Sequence, residues 1–160
     1  KSLLSTHPDA VCVLANAYGP HDAELRKLLV EIPDANLRLL QPIDRPIGGL
    51  YGVMDIFVHV PVTESAEAFG ATIVEALAAG VPSVLTRSGV SREFSEDAQV
   101  ALFVPYRNAD AIHQALLRIL SEPELRKTLS KNGPPAVIDR FGIDRMIAGF
   151  EDLYALRLPI

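Results

Sequence analysis

Residues 67–82 read EAFGATIVEALAAGVP, and the fold can be worked outward from them. Glu67 opens the stretch, Phe69 and Gly70 follow, and a helix carrying a second carboxylate, Glu75, runs on from there. Gly80 suits the left-handed residue that closes a helix, and Pro82 cannot continue one. The next four residues, Ser83, Val84, Leu85 and Thr86, read as a buried strand. Loop, helix, cap and strand thus follow one another within about twenty residues, which is the βα grammar of a parallel sheet.

Ala71, Ile73, Val74, Ala76, Leu77, Ala78 and Ala79 make this helix apolar nearly all round, with only Thr72 and Glu75 between them. Such a helix is buried on most sides, and a carboxylate on it needs solvent or hydrogen-bond partners. Thr72 and Glu75 are three apart and share a face. That stripe is either an ordinary solvated seam or a surface turned towards a polar ligand. Spacing adds a further consideration. If Glu67 and Glu75 lay along one helix, eight residues would set them roughly 12 Å apart. That is too far for one metal ion or a shared proton, but suited to the two ends of an elongated ligand. Between them the backbone N–H groups near Phe69, Gly70 and Ala71 form a helix N-terminus, which attracts phosphate. Gly70 would let a ligand approach the backbone closely. Carboxylate, amides, carboxylate is an order that fits the sugar, diphosphate and ribose of a sugar nucleotide.

The rest of the chain sets limits. Its 160 residues suffice for one domain with a sizeable core. A net charge of −5 gives no basic footprint for nucleic acid. No apolar run approaches the length of a membrane span, and no leader peptide is visible. The single cysteine, Cys12, lies in an apolar run, cannot form an internal disulfide, and reads as a buried thiol in a reducing, cytoplasmic setting.

Read in order, residues 1–7 look like a helix tail broken at His7 and Pro8, and 10–14 like a short strand followed by a loop with Asn16 and Gly19. Asp22 is placed to cap a helix over 23–31 with Leu25, Leu28, Leu29 and Ile32 on its apolar face. Strands are expected at 37–40, 56–60 and 101–104, with a proline- and glycine-rich loop and a short helix through Met54 between the first two. Asn108 should cap a helix with Ile112, Ala115, Leu116 and Ile119 inward. Pro123 should start another that ends near Asn132 and Gly133. A last helix over 144–156 carries Met146, Ile147, Phe150, Leu153 and Tyr154 on one apolar face and reads as a core-covering element. Alternating strands and helices predict an α/β fold, a doubly wound parallel sheet in three α/β/α layers. Ligands bind such sheets outside the carboxyl ends of the strands. The loops after 10–14, 56–60 and 83–86 are expected to meet there, bringing Thr63, Glu64, Ser65, Glu67, Ser88 and Gly89 to one rim.

Other residues read as structural. His59 at a strand end fits a packing or hydrogen-bonding role better than ligand contact. His7, His21 and His113 have no metal-ligand spacing. Neither a Gly-rich phosphate loop nor a dinucleotide fingerprint occurs, and nucleophile–histidine catalysis has no local signature.

The segments DIFVHVP (55–61), EAFG (67–70) and EALAAGVPSV (75–84) resemble the family 4 retaining glycosyltransferases of the GT-B fold. Their donor-binding domain carries a Glu-x7-Glu signature that Glu67 and Glu75 match. Thr86, Gly89 and Glu93 fit the segment that follows it. Val104 and Pro105, PELR (123–126), RFG (140–142) and Tyr154 are similar to its later elements, so the likeness covers most of residues 9–156. Glu-x7-Glu alone is a weak signal; with the other segments at their offsets it is a specific one.

The resemblance implies a Rossmann-like nucleotide-sugar-binding domain. Glu67 would be the catalytic carboxylate at the hydroxyls of the transferred sugar, and Glu75 would bind the ribose. Phe69, Gly70, Ala71, Thr72, Ser88 and Gly89 would form the rest of the donor site. A nucleotide sugar is then the substrate, with no metal or other cofactor expected. The family also has an Arg and a Lys near the domain's first strand, whereas Lys1 already lies in the helix that would follow. The first strand and the N-terminal acceptor domain are therefore expected to lie outside this chain, and the chain alone to be inactive. Peripheral membrane association of the full protein stays open. Two other classes also remain: a GT-B epimerase or phosphorylase-like domain, and a non-catalytic nucleotide-binding or interaction module.

Overall fold

The computed structural model describes residues 2–15, 19, 21–40, 48–94 and 99–157. The chain divides into two compact units, 1–49 and 50–160.

In the first unit, strands β1 (Cys12–Ala15) and β2 (Leu37–Leu40) pair in parallel, Cys12 opposite Leu37. Helix α1 (Asp22–Leu29) connects them. Buried Asn36, just before β2, donates from its side chain to the carbonyls of Pro8 and Ala10 at 2.7 and 2.8 Å, tying the entries of both strands. Three expectations change here. Asp22 is the first residue of α1 rather than its cap, and its carboxylate accepts from Arg26 one turn on, at 2.7 Å. Leu28 is exposed, while Leu25 and Leu29, one turn apart on α1, and Ile32 beyond its end are only half-buried. Cys12 is exposed rather than buried. The loop carrying Asn16, like the loop over 41–47, lies outside the described residues.

The second unit holds a parallel sheet in the order β3 (Phe57–His59), β4 (Ser83–Leu85), β5 (Leu102–Phe103). Short helix α2 (Gly48–Tyr51) leads into it, ending before Met54, the expected limit. Helix α3 (Ala71–Ala78) joins β3 to β4, and α4 (Ala109–Ser121) and α5 (Pro123–Phe141) follow β5. Side chains alternate across the strands, so the sheet builds two cores. Val84 and Leu102 pack with Ala115, Ile119 and Leu129, while Leu85 and Ala101 pack with Ile73, Leu77 and Val137. Ile73 and Leu77 are fully buried, and each contributes about 1.5–3 kcal/mol of hydrophobic stabilisation.

Helix α3 ends as its sequence dictates. Gly80 takes φ +71°, its N–H bonds Leu77 O, and the Val81 N–H bonds Ala76 O, both at 3.0 Å. This is the paired closure of a Schellman motif. Asn108 caps α4 through its side-chain oxygen, which accepts from the Ala111 N–H at 2.9 Å.

Helix α5 departs from expectation. It does not end at Asn132 and Gly133 but runs through Pro134 and Pro135 to Phe141. Gly133 is a contact residue: a Cβ there would lie 2.7 Å from the Leu77 carbonyl oxygen of α3. Pro134 lacks the N–H that would bond Ser130 O, and that carbonyl lies beside Gly80, 3.1 Å from where a Cβ on Gly80 would sit. Close packing on α3 thus overrides three helix-breaking residues. Helix α6 (Ile143–Arg157) closes the chain with Met146, Ile147, Phe150, Leu153 and Tyr154 exposed.

Candidate functional site

The rim at the carboxyl ends of β3 and β4 is built from two loops locked together. The first leaves β3 at Val60, makes a 3-10 turn over Glu64–Ala66, and reaches Glu67 in extended conformation (φ −119°, ψ 129°). The second makes a 3-10 turn over Gly89–Glu93. Between them Thr86 Oγ1 donates to Pro61 O at 3.0 Å, Ser88 Oγ to Glu64 O at 2.9 Å, and the Val90 N–H to Phe69 O at 2.7 Å. Arg92 and Glu64 add an exposed ion pair at 2.6 Å. Buried Ser91 accepts the Ser88 N–H at 2.8 Å and lies 2.7 Å from both the Thr86 and Ser88 carbonyls.

Gly89 makes this closeness feasible. Its φ is +57°, and a Cβ would lie 2.5 Å from Phe69 O and 2.8 Å from Glu67 Cγ. Gly70, with φ +89° and ψ 58°, turns the chain into α3. It is buried, and a Cβ there would meet Ile73 Cδ1 at 2.8 Å and Glu67 Cγ at 3.2 Å. Its lack of a side chain therefore serves the turn and leaves room for Ile73 and Glu67.

Glu67 precedes the helix and Glu75 lies on it, so the two do not share one helix axis as the spacing estimate assumed. Each is held by an aromatic residue. His59 Nε2 lies 3.1 Å from Glu67 Oε2, with both side chains about a quarter exposed (25% and 27%). The Tyr51 hydroxyl donates to Glu75 Oε2 at 2.7 Å. Burial, reinforced by that bond, pushes the phenol pKa well above its ordinary value and keeps it a neutral donor. Phe57 links the two holders. Its ring lies near-parallel to His59 at 6.0 Å and edge-on to Tyr51 at 6.1 Å. Phe57 and His59 are two apart on β3 and so point to one face.

At the start of α3 the Ile73 and Val74 N–H groups turn onto Gly70 O, at 2.9 and 3.5 Å. Among the described residues, the N–H groups of Gly70, Ala71 and Thr72 meet no acceptor. They form the open, partly positive end of the helix. Ala71, Thr72, Glu75, Ala78 and Ala79 are exposed, so the polar stripe read from the sequence is present but broader, widened by alanines. Phe69 is 46% exposed, its edge against Phe141 at 5.6 Å. Ser88 and Gly89 are buried, and the Ser88 side chain is committed to Glu64 O. Sequence reasoning passed over Tyr51, whose partner lies 24 residues away. The alternation of Phe57 and His59 was the one local signal for the aromatic ladder. Among the described residues no cluster of three or more His, Cys, Asp or Glu could hold a metal ion, and no helix is long and apolar enough to cross a membrane.

Fold and rim together define a Rossmann-like α/β domain with two fixed carboxylates flanking a helix N-terminus. Residues 1–135 match the family of glycosyl transferases group 1, and the chain belongs to that family. It is 34% identical over 86 residues to the alpha-monoglucosyldiacylglycerol synthase of Acholeplasma laidlawii, an overlap of 54% of this chain and 20% of that protein. The C-terminal domain of the group 1 glycosyl transferase LpcC from Francisella tularensis shares its fold, with a TM-score of 0.75 at 24% identity over 88% of this chain and 74% of that one. Anabaena Alr3699/HepE in complex with UDP-glucose does likewise, with a TM-score of 0.80 at 18% identity over 92% of this chain and 41% of that one.

Proposed function

We propose that the chain is the donor-binding half of a retaining glycosyltransferase, moving a sugar from a nucleotide sugar to an acceptor hydroxyl. The observation that carries this reading is the open N-terminus of α3, flanked by Glu67 on one side and Glu75 on the other. In it, the N–H groups of Gly70, Ala71 and Thr72 receive the diphosphate and Glu75 the ribose hydroxyls. Glu67 receives hydroxyls of the transferred sugar, with Phe69 beside it. Ser88 and Gly89 act from behind, holding Glu64, Glu67 and Phe69 in place. The bond to the sugar breaks as the nucleoside diphosphate leaves, and the helix end stabilises the charge that develops there. A metal is not part of this scheme. The complex of HepE with UDP-glucose, a protein of the same fold, supports a nucleotide sugar as the ligand class. The acceptor site lies in a separate N-terminal domain on this reading, which makes the chain alone inactive in transfer, and the setting is cytoplasmic.

A thermal-shift screen against UDP-, GDP- and ADP-glucose, with the free diphosphates alongside, tests the assignment. A stabilising nucleotide whose effect disappears in Glu75→Ala supports it. Equal shifts in wild type and Glu75→Ala would remove Glu75 from the site. Silence towards all six would favour the interaction-module reading.

A further inference from the structure

The rim contains two side chains that reach both carboxylates without belonging to the signature that contains them. We propose that His59 and Tyr51 are positioning residues, which aim Glu67 and Glu75 before a ligand arrives, His59 setting the sugar end and Tyr51 the nucleotide end. This rests on the donor-site reading above and extends it to residues that reading does not use.

A glutamate side chain has three rotatable bonds and loses that freedom when a ligand orders it. One held in advance does not incur this loss at the moment of binding. Glu67 stands in an extended segment, and among the described residues its one side-chain partner is His59, which takes Oε2. The carboxylate's other oxygen is left to accept from hydroxyls. His59 is itself fixed. Its ring lies against Phe57 within 8° of parallel, and its carbonyl accepts the Thr86 N–H at 3.3 Å. Glu75 has the same arrangement: Tyr51 takes Oε2, and the Tyr51 ring is buried against the edge of Phe57. Neither carboxylate is neutralised by a Lys or Arg contact among the described residues. Arg92 is turned to Glu64 instead. Both carboxylates thus keep one free oxygen, in fixed directions, through a single ladder of three rings.

The two ends predict different losses. His59→Ala frees Glu67, so the advantage of a nucleotide sugar over its free diphosphate should shrink by about fivefold to tenfold while diphosphate affinity holds. His59→Gln places an amide donor at a similar reach and should restore most of that advantage. Tyr51→Phe keeps the ring, loses the donor, and should weaken diphosphate and nucleotide sugar by the same factor. The experiment is calorimetric titration of wild type and these three variants with UDP-, GDP- and ADP-glucose and the matching diphosphates, with Tm measured for each variant. If His59→Ala weakens diphosphate and nucleotide sugar alike with a lowered Tm, or leaves their ratio unchanged, His59 is structural and the inference fails while the donor reading stands. If the wild type binds none of the six, the donor reading fails and the inference with it. A ratio that collapses in His59→Ala and returns in His59→Gln establishes the positioning role.

Discussion

Gly89→Ala should damage fold and site together, and the size of the effect follows from the backbone. At φ +57° an alanine is in the left-handed region, where a Cβ costs about 1–2 kcal/mol. That Cβ would also sit 2.5 Å from Phe69 O and 2.8 Å from Glu67 Cγ, well inside van der Waals contact, and such overpacking costs about 1–3 kcal/mol. The expected loss is about 2–5 kcal/mol. At about 2–4 °C per kcal/mol for a chain near this length, Tm should fall by roughly 4–20 °C. The strain is relieved most directly by moving the Phe69 carbonyl away, which breaks its bond from the Val90 N–H and carries Glu67 with it. Nucleotide-sugar affinity measured by calorimetry well below Tm should therefore fall too. Gly133→Ala is the control. It collides with Leu77 O in the α3–α5 contact, at helical φ and away from the rim. It should lower Tm while leaving affinity within about twofold. A Gly89→Ala protein with Tm within about a degree of wild type and unchanged affinity would refute the account of the two locked loops.

Three further outcomes are expected. Glu75→Ala removes a charge-assisted contact of about 1.5–3 kcal/mol, so affinity for the free nucleoside diphosphate should fall roughly 10- to 150-fold by calorimetry. Tyr51→Phe should cost about 0.5–1.5 kcal/mol near neutral pH in denaturant titrations. Because the folded phenol pKa is raised, the unfolded chain ionises first as pH climbs past about 10. The wild type then loses stability that the variant does not, so the gap between them should narrow above that pH. Ser91→Ala strands the buried Ser88 N–H, which should cost about 1–3 kcal/mol and show as a lower denaturant midpoint at constant slope.

Which elements were legible in the sequence follows from the range of the forces that form them. Helix α3, its glycine closure, strand β4 and the Asn108 and Pro123 helix starts depend on residues within a few positions of one another, and each appears where the pattern puts it. Helix α5 does not. Gly133, Pro134 and Pro135 read as a stop because their local preference opposes a helix. The reason for the glycine, the Leu77 carbonyl pressed against it, is more than fifty residues away. Ser88 reads as a polar rim residue, yet its hydroxyl turns inward to Glu64 O, a partner 24 positions back. Cys12 reads as buried from its apolar neighbours, although β1 leaves it exposed. Glu67 and Glu75 were singled out by their spacing and their resemblance to a family signature. The turn at Gly70, which takes Glu67 off the helix axis, was hidden in a positive φ that any glycine permits.

The most direct test of the central claim is to follow the backbone amides by 15N-edited NMR while UDP-, GDP- or ADP-glucose is titrated in. The account predicts that the largest shifts, downfield in the proton dimension, fall on Gly70, Ala71 and Thr72, and that they shrink when Glu75→Ala is titrated with the same ligand. Shifts that spare these three amides while saturating elsewhere would contradict a diphosphate at the start of α3.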